Sequence, residues 1–516
     1  MKRILWVDDE IDFLKPHIMF LQSKGYEVTC AVSGTDAIEM LEKTPDGWDA
    51  ILLDENMPGL TGIETLEKLK IVSPHTPVVM ITKSEEESLM DQAVGNQIKD
   101  YLIKPVNPNQ ILSSLKKLLH ADRLITEQAT VNYRKEFMDV SNLIASASSF
   151  NEWCDIYRRL TLRMLDFNDT APDIAYLLEA QYNEAQKEFF RFIRKNYMIW
   201  MERPETAPLM SHNIMETQVL PSLSESKKTV MLVIDNFRLD LWLSVKPVFT
   251  DLFHIENEML YCSILPTATQ YARNALFSGQ LPADIKRKFP ELWIDEDAEE
   301  SKNLNEKPLI ENLLRQTLRF KQSIGYYKAN NSQQLSGVIK SLSGQLCDLT
   351  VIVINFIDIL SHARTDINMI RELASTEAAY RSLALSWFRH SPFHELLENL
   401  ARKDVQLFCT TDHGTVKVDR PVKVVGERET NAALRYKHGR NLAYPNREVF
   451  AITQPHYAGL PAPNVSSTYI FAGMNDFFAY PNNYNHYVKY FNGTYQHGGV
   501  SFEEMIVPFI KLAIKS

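Results

Sequence analysis

The chain has 516 residues, 45% hydrophobic and 23% charged, and its 55 Lys and Arg against 65 Asp and Glu leave a formal net charge of -10. That length exceeds what one hydrophobic core organises, so two or three domains are expected, and the acidic balance excludes a protein that coats duplex DNA by neutralising its phosphates with Lys and Arg. No apolar run approaches the roughly 20 residues of a membrane span, Met1 to Asp9 carries acids where a secretory leader is apolar, and Cys30, Cys154, Cys262, Cys347 and Cys409 form no C-x-x-C pair, so the expectation is a cytoplasmic protein with no membrane insertion, disulfide framework or thiolate metal site.

Residues 1–120 alternate short apolar runs with amphipathic stretches. Arg3–Val7, Glu27–Ala31, Ala50–Leu53, Val78–Ile81 and Tyr101–Ile103 read as five strands with helices between, a doubly wound parallel sheet. Asp8 and Asp9 close the first strand and Asp54 the third, in Leu-Leu-Asp54-Glu-Asn56-Met-Pro58-Gly; Thr82 and Lys104-Pro105 close the fourth and fifth. Carboxylates gathered at strand ends suit Mg²⁺, which prefers oxygen ligands.

Residues 121–205 have few Gly or Pro and carry helix-spaced apolar residues such as Leu160, Met164, Ile174, Leu177, Phe189 and Phe192, which predicts a helical bundle or spacer. Pro204, Pro208 and Pro221 mark a boundary. A second, larger α/β domain follows over 206–516, with strands at Thr229–Ile234, Leu349–Phe356 and Val405–Cys409.

Three of its strands run into aspartates: Asp235, Asp358 with His362 four residues on, and Asp412-His413; Tyr-Gln-His497-Gly-Gly adds an imidazole near residue 500. An i, i+4 pair shares one helical face, and the carboxyl ends of parallel strands are where α/β enzymes gather ligands. The count suits two ions, Zn²⁺ first and Mn²⁺ next, one held by Asp235, Thr269, Asp412 and His413 and the other by Asp358, His362 and His497. Pro-Thr267-Ala-Thr269-Gln-Tyr-Ala-Arg273-Asn274 predicts a strand-to-helix turn that aims free N–H groups at a phosphate, with Thr269 as nucleophile and Arg273 one turn on along the same face. The basic cluster Arg428, Arg435, Lys437, His438 and Arg440 is a candidate grip for nucleotide phosphates beside its reading as a solvated loop. Tyr326 and Tyr327 stack a base or lie in a core strand.

The first 120 residues resemble the receiver domain of bacterial response regulators, of flavodoxin-like fold. The resemblance implies that Asp54 takes a phosphoryl group from a histidine kinase, that Asp8, Asp9, Asp54 and the carbonyl of Asn56 hold one Mg²⁺, and that Lys104 pairs with the phosphate. It further implies that Thr82 and Tyr101 form a switch and that Pro105 follows a cis bond. From about residue 225 the chain resembles the PglZ domain of the alkaline-phosphatase superfamily, through Thr-Asp412-His413-Gly and His497-Gly-Gly-Val-Ser-Phe-Glu-Glu-Met-Ile-Val-Pro. Pro-Thr-x-Thr269 with Gly279 ten residues later is similar to the nucleophile segment of nucleotide pyrophosphatase/phosphodiesterases, which favours diesters. Gln270-Tyr271-Ala272 departs from their aromatic-Pro-Asn stretch, and Arg273 or Asn274 is open as its replacement for binding phosphate.

The order of the three regions resembles the PorX family of response regulators of type IX secretion and gliding. That implies a PorY-like kinase, a homodimer on phosphorylation, hydrolysis of linear or cyclic oligonucleotides, and contact with secretion machinery or a sigma factor. A phosphomonoesterase, and a zinc-holding scaffold that docks on secretion machinery or a transcription regulator without catalysis, are the alternatives.

Overall fold

A computed structural model describes residues 2–44, 47–73, 76–82, 98, 100–167, 172–223, 227–295, 303–318, 322–366, 376–403, 405–427, 431, 433–462, 464 and 466–515. The backbone forms two compact units, Met1–Asn132 and Tyr133–Ser516.

The first unit holds β1 (Lys2–Val7), β2 (Tyr26–Ala31), β3 (Ala50–Asp54), β4 (Val78–Thr82) and β5 (Asp100–Ile103), each bound within one residue of expectation. All pair in parallel in the order β2-β1-β3-β4-β5. Successive side chains leave a strand on opposite faces, and both faces are covered, which is why β3 and β4 up to their last residue, and β1 from Ile4 onward, are apolar. Leu5, Val7, Leu53 and Met80 enter one core layer, and Ile4, Trp6, Leu52 and Ile81 enter the other. The helix Gly62–Val72 starts on a reciprocal cap, in which the Thr61 hydroxyl accepts the Glu64 N–H and the Glu64 carboxylate accepts the Thr61 N–H. Because β1 lies between β2 and β3, the chain reverses its winding there and opens a crevice at the carboxyl ends of β1 and β3.

The helical region consists of Pro108–Ser146, Phe150–Phe167 and Pro172–Glu202. The backbone runs through both compositional boundaries. The first helix passes residue 120 without interruption, and the two compact units divide inside it. The other two helices are not a free-standing spacer up to residue 205, because Trp153, Tyr157 and Phe189 close around Phe502 with ring centroids 6.0, 5.1 and 4.8 Å from it. They share one core with the output domain.

That domain is built on six strands: β6 (Thr229–Ile234), β7 (Phe253–Cys262), β8 (Ile324–Ala329), β9 (Leu349–Ile354), β10 (Gln406–Thr410) and, after short strands β11 (Val416–Lys417), β12 (Arg420–Lys423), β13 (Tyr436–Gly439), β14 (Val449–Ile452), β15 (Thr468–Ala472), β16 (Asp476–Ala479) and β17 (Tyr495–Gln496), the long β18 (Ile506–Ile514). The large sheet runs β7-β18-β10-β6-β9-β8. Strands β8, β9, β6 and β10 are parallel, and β18 runs antiparallel between β10 and β7. Strand β6, buried along its whole length, has β9 on one side and β10 on the other. The turns that follow these three strands are therefore neighbours although they lie far apart in sequence. Tyr326 and Tyr327 lie in β8, as the strand reading has it. Among the described residues no helix is long and apolar enough to cross a membrane.

Candidate active site

In the first unit, oxygens of Asp8, Asp9 and Asp54 lie within 4.8 Å of one another at the crevice. Lys104 Nζ sits 2.8 Å from Asp8 Oδ2 and 3.0 Å from Asp54 Oδ1. Burial pushes the Asp54 carboxyl up to about 6 against the opposing Lys104 hydrogen bond, with Asp8 and Asp9 adding repulsion. Three crowded carboxylates form an oxygen donor set of the kind Mg²⁺ satisfies. The Lys104–Pro105 peptide is cis. Thr82 is buried at the end of β4 and its carbonyl accepts the Lys104 N–H at 2.7 Å. Tyr101 is half-buried against the core layer of Leu53 and Met80, and Asn56 is exposed in the loop two residues past Asp54.

In the second unit, Asp235 follows β6, Asp412 and His413 follow β10, and the helix Phe356–Asp366 after β9 carries Asp358 and His362. Ligand atoms of Asp235, Asp412 and His413 lie within 4.8 Å of one another, and so do those of Asp358, His362 and His497. The two groups abut, since the rings of His413 and His497 stack with centroids 4.4 Å apart. Asn236 Nδ2 lies 3.5 Å from Asp358 Oδ1, joining the turn after β6 to the helix after β9.

Thr269 opens the helix Thr269–Ser278 with no side chain capping it, so among the described residues the Thr269 and Gln270 N–H groups are open to an anion, while that of Tyr271 turns back to the Ala268 carbonyl at 2.9 Å. Its Oγ1 is 3.0 Å from His413 Nε2. The other nitrogen, Nδ1, faces the Gly414 carbonyl at 3.1 Å. A carbonyl only accepts, so the proton sits on Nδ1 and the lone pair of Nε2 points at Thr269 and, 3.7 Å away, Asp235 Oδ1. His497 repeats the device, with Nδ1 donating to the Thr267 carbonyl at 3.2 Å and Nε2 left as the ligand atom.

Burial lowers both imidazoles, His497 to about 4, so they stay neutral. Burial raises Asp412 to about 7 against Arg273, and burial with Asp235 nearby raises Asp358 to about 6. Asp235 is pushed up by burial but is held below the usual carboxylate range by Arg273 and His413. Its Oδ1 is buried and accepts no hydrogen bond from the described residues. Neutral imidazoles, crowded carboxylates and an orphaned carboxylate oxygen fit divalent ions with mixed N and O ligation.

Five basic or amide side chains stand elsewhere than expected. Arg273 shares the Thr269 face of its helix, but that face looks inward. Its guanidinium is fully buried against Asp235, Asp412 (Nε to Oδ2, 3.1 Å) and Glu306 (3.5 Å), so it balances carboxylate charge rather than reaching out to phosphate. Asn274 is buried as well, its Oδ1 taking the amide of Asn303 at 3.4 Å. Arg435 is fully buried on Glu504, and Lys437 is buried with Nζ on the Asn431 carbonyl and over the Tyr480 ring. Arg440 is exposed and pairs with Glu427 at 3.7 Å. The expected phosphate grip is thus spent on fold contacts; Arg428 lies outside the described residues. Sequence reasoning missed Glu306, which receives Arg273, Lys328 (3.1 Å) and Tyr326, and Asn303, which donates to the Thr269 carbonyl at 3.2 Å. Neither sits in a recognisable spacing.

Family models match three successive stretches: a response regulator receiver domain over 4–116, a PorX response regulator linker domain over 123–201, and a BREX system PglZ alkaline phosphatase-like domain over 214–512. Curated relatives match the front of the chain. The chemotaxis protein CheY of Treponema pallidum is 33% identical over 118 residues, 23% of this chain and 82% of that protein. The CpxR homolog of Haemophilus influenzae is 34% identical over 121 residues, 23% of this chain and 51% of the relative. The chain thus spans about half the length of several curated relatives it matches. Among solved structures, Vibrio cholerae CheY4 is 30% identical and is covered over 99% of its length and 23% of this chain, with a TM-score of 0.22.

Proposed function

The chain belongs to the PglZ alkaline phosphatase-like family, within response regulators that join a receiver through a PorX linker domain to that output, and from this membership we propose that it hydrolyses nucleotide-type phosphodiesters under control of Asp54 phosphorylation. The observation that carries the reading is the convergence of Asp235, Asp412 and His413 with Asp358, His362 and His497 beside the Thr269 hydroxyl. Asp235, Thr269, Asp412 and His413 would hold one ion, and Asp358, His362 and His497 the other. A bound pair of divalent ions, zinc or manganese, supplies positive charge against the phosphoryl oxygens of reactant and leaving group.

Thr269 Oγ1 attacks phosphorus, a phosphorus–oxygen bond forms to the threonine as the bond to the departing nucleoside oxygen breaks, and the hydroxyl proton passes through solvent to that oxygen; water then cleaves the threonine ester, its oxygen staying on the phosphate and a proton returning to Oγ1. The Thr269 and Gln270 N–H groups at the start of the helix receive a non-bridging oxygen. The similarity of Pro266-Thr267-Ala268-Thr269 to the diesterase nucleophile segment supports diesters, and linear or cyclic oligonucleotides are the proposed substrates. A receiver implies a histidine kinase as donor. A PorY-like kinase, dimerisation on phosphorylation and control of type IX secretion and gliding are proposed with it.

The test pairs elemental analysis with hydrolysis of a chromogenic diester, a monoester and a panel of linear and cyclic oligonucleotides. Thr269→Ala is expected to abolish hydrolysis with two metals still bound, and Asp358→Ala to lose metal as well. Full activity in Thr269→Ala removes the nucleophile. Preference for the monoester makes the chain a monoesterase, and zinc binding without hydrolysis makes it a scaffold.

A further inference from the structure

We infer that Gln186, on the linker helix Pro172–Glu202, is a positioning residue for the metal ligands His497 and His413; the inference rests on the two-metal reading above. The Gln186 side chain is 5% exposed and grips one turn of the output domain twice. Its Oε1 accepts the Phe502 N–H at 3.0 Å, and its Nε2 donates to Glu503 Oε2 at 2.7 Å. One turn earlier on the same helix, the Tyr182 hydroxyl donates to Glu503 Oε1 at 2.6 Å. Phe502 itself fills the linker pocket of Trp153, Tyr157, Tyr182 and Phe189.

That turn leads to both imidazoles. Glu504 Oε1 accepts the Gly499 N–H at 2.9 Å, and Gly498 donates to Thr267 Oγ1 at 3.1 Å, whose hydroxyl donates to the Gly499 carbonyl at 2.9 Å. The Thr267 carbonyl in turn takes the His497 Nδ1 proton. On the other side, the Glu503 backbone lies so close to Gly414, the residue after His413, that a β-carbon there would stand 2.0 Å from the Glu503 carbonyl oxygen. Held at 502–503, the chain has little latitude at either histidine. The same linker helix carries a second grip five residues earlier, where Gln181 Nε2 donates to the Phe137 carbonyl (2.9 Å) and to Ser141 Oγ (2.8 Å) of the helix Pro108–Ser146. A shift of that long helix along its neighbour is therefore felt at the turn that carries His497. Residues that orient metal ligands through hydrogen bonds typically set metal affinity by 10- to 100-fold.

The experiment uses the full chain. Gln186→Leu keeps the volume and removes both bonds. Zinc affinity is read by competition with a chromophoric chelator, ligand geometry by the visible absorption of the cobalt-loaded protein, and backbone order by hydrogen exchange over 497–505 in metal-free protein. The expected result is affinity weaker by about 10- to 100-fold, an altered cobalt spectrum and faster exchange confined to 497–505 and the 413 loop. Tyr182→Phe, which removes one hydroxyl, is expected to move all three in the same direction by less, and it serves if Gln186→Leu does not fold. Unchanged affinity and cobalt spectrum in a folded Gln186→Leu or Tyr182→Phe protein overturn the inference while leaving the enzyme intact. Failure of the unaltered chain to bind zinc overturns the two-metal reading and the inference with it.

Discussion

Replacing Arg435 with methionine separates two roles for this residue, a substrate grip and a fold contact. Its guanidinium is fully buried and bonds Glu504 through Nε at 3.1 Å and Nη2 at 2.6 Å, with further bonds to the Gly473 carbonyl at 3.1 Å and the Asp476 carbonyl. Methionine fills much of the space but leaves the Glu504 carboxylate without its cation, and removing one partner of a buried pair costs about 3–5 kcal/mol. A unit of about 380 residues unfolds with an entropy of about 0.8 kcal/mol per kelvin, so the thermal midpoint of the output unit should fall by about 5 °C. Differential scanning calorimetry on the metal-loaded chain reads the shift. The double change Arg435→Met with Glu504→Gln should recover part of it, because the second substitution removes the stranded charge. An unchanged midpoint with a raised KM for the diester refutes the fold role and restores the phosphate grip.

Asp54→Asn should block phosphoryl uptake from a small acyl-phosphate donor, read by phosphate-affinity electrophoresis. In the unaltered chain, beryllium fluoride with Mg²⁺ should shift sedimentation toward dimer, and a mass that stays monomeric rejects the dimer proposal. His362 is half-exposed, so His362→Ala should cost metal without lowering the stability of metal-free protein by more than about 0.5 kcal/mol; a collapse of the metal-free fold contradicts this. Stripping metal with a chelator should lower the output unit's midpoint, since a ligand at 1,000 times its Kd stabilises by about 4 kcal/mol. The Glu258 carboxyl, pushed up by burial, is nevertheless held below its ordinary range by Lys246 and Arg158. A depressed folded value means that its stabilisation is present above the unfolded value near ~4.3 and is lost as pH falls through the folded one. The midpoint gap between the unaltered chain and Glu258→Gln should therefore be full at neutral pH and close in acid. A gap that does not narrow at all as pH falls below the unfolded value argues against the ion pairs.

How much of this was legible in the sequence depends on how local each cause is. Strand β6 was legible to the residue because a central parallel strand is apolar on both faces, and Asp235 breaks that run at the sheet's edge. Asp358 and His362 declared themselves through a four-residue spacing that any helix would bring together. Arg435 was not legible, since its burial depends on Glu504, 69 residues away, and an isolated basic residue looks the same whether solvated or interior. The inward turn of Arg273 depended likewise on Asp412 and Glu306, contributed by other elements. Composition changes near 120, but it does not register that a single helix from Pro108 continues to Ser146.

The slot that β18 occupies orders events during synthesis. Strands β7 and β10 have no mutual pairing, and Ile506–Ile514 fills the gap between them. A nascent chain that has not yet yielded residue 514 thus leaves two strand edges open, and before residue 497 it also lacks one imidazole. The group of Asp358, His362 and His497 is therefore complete only once residue 497 has joined strands laid down long before it.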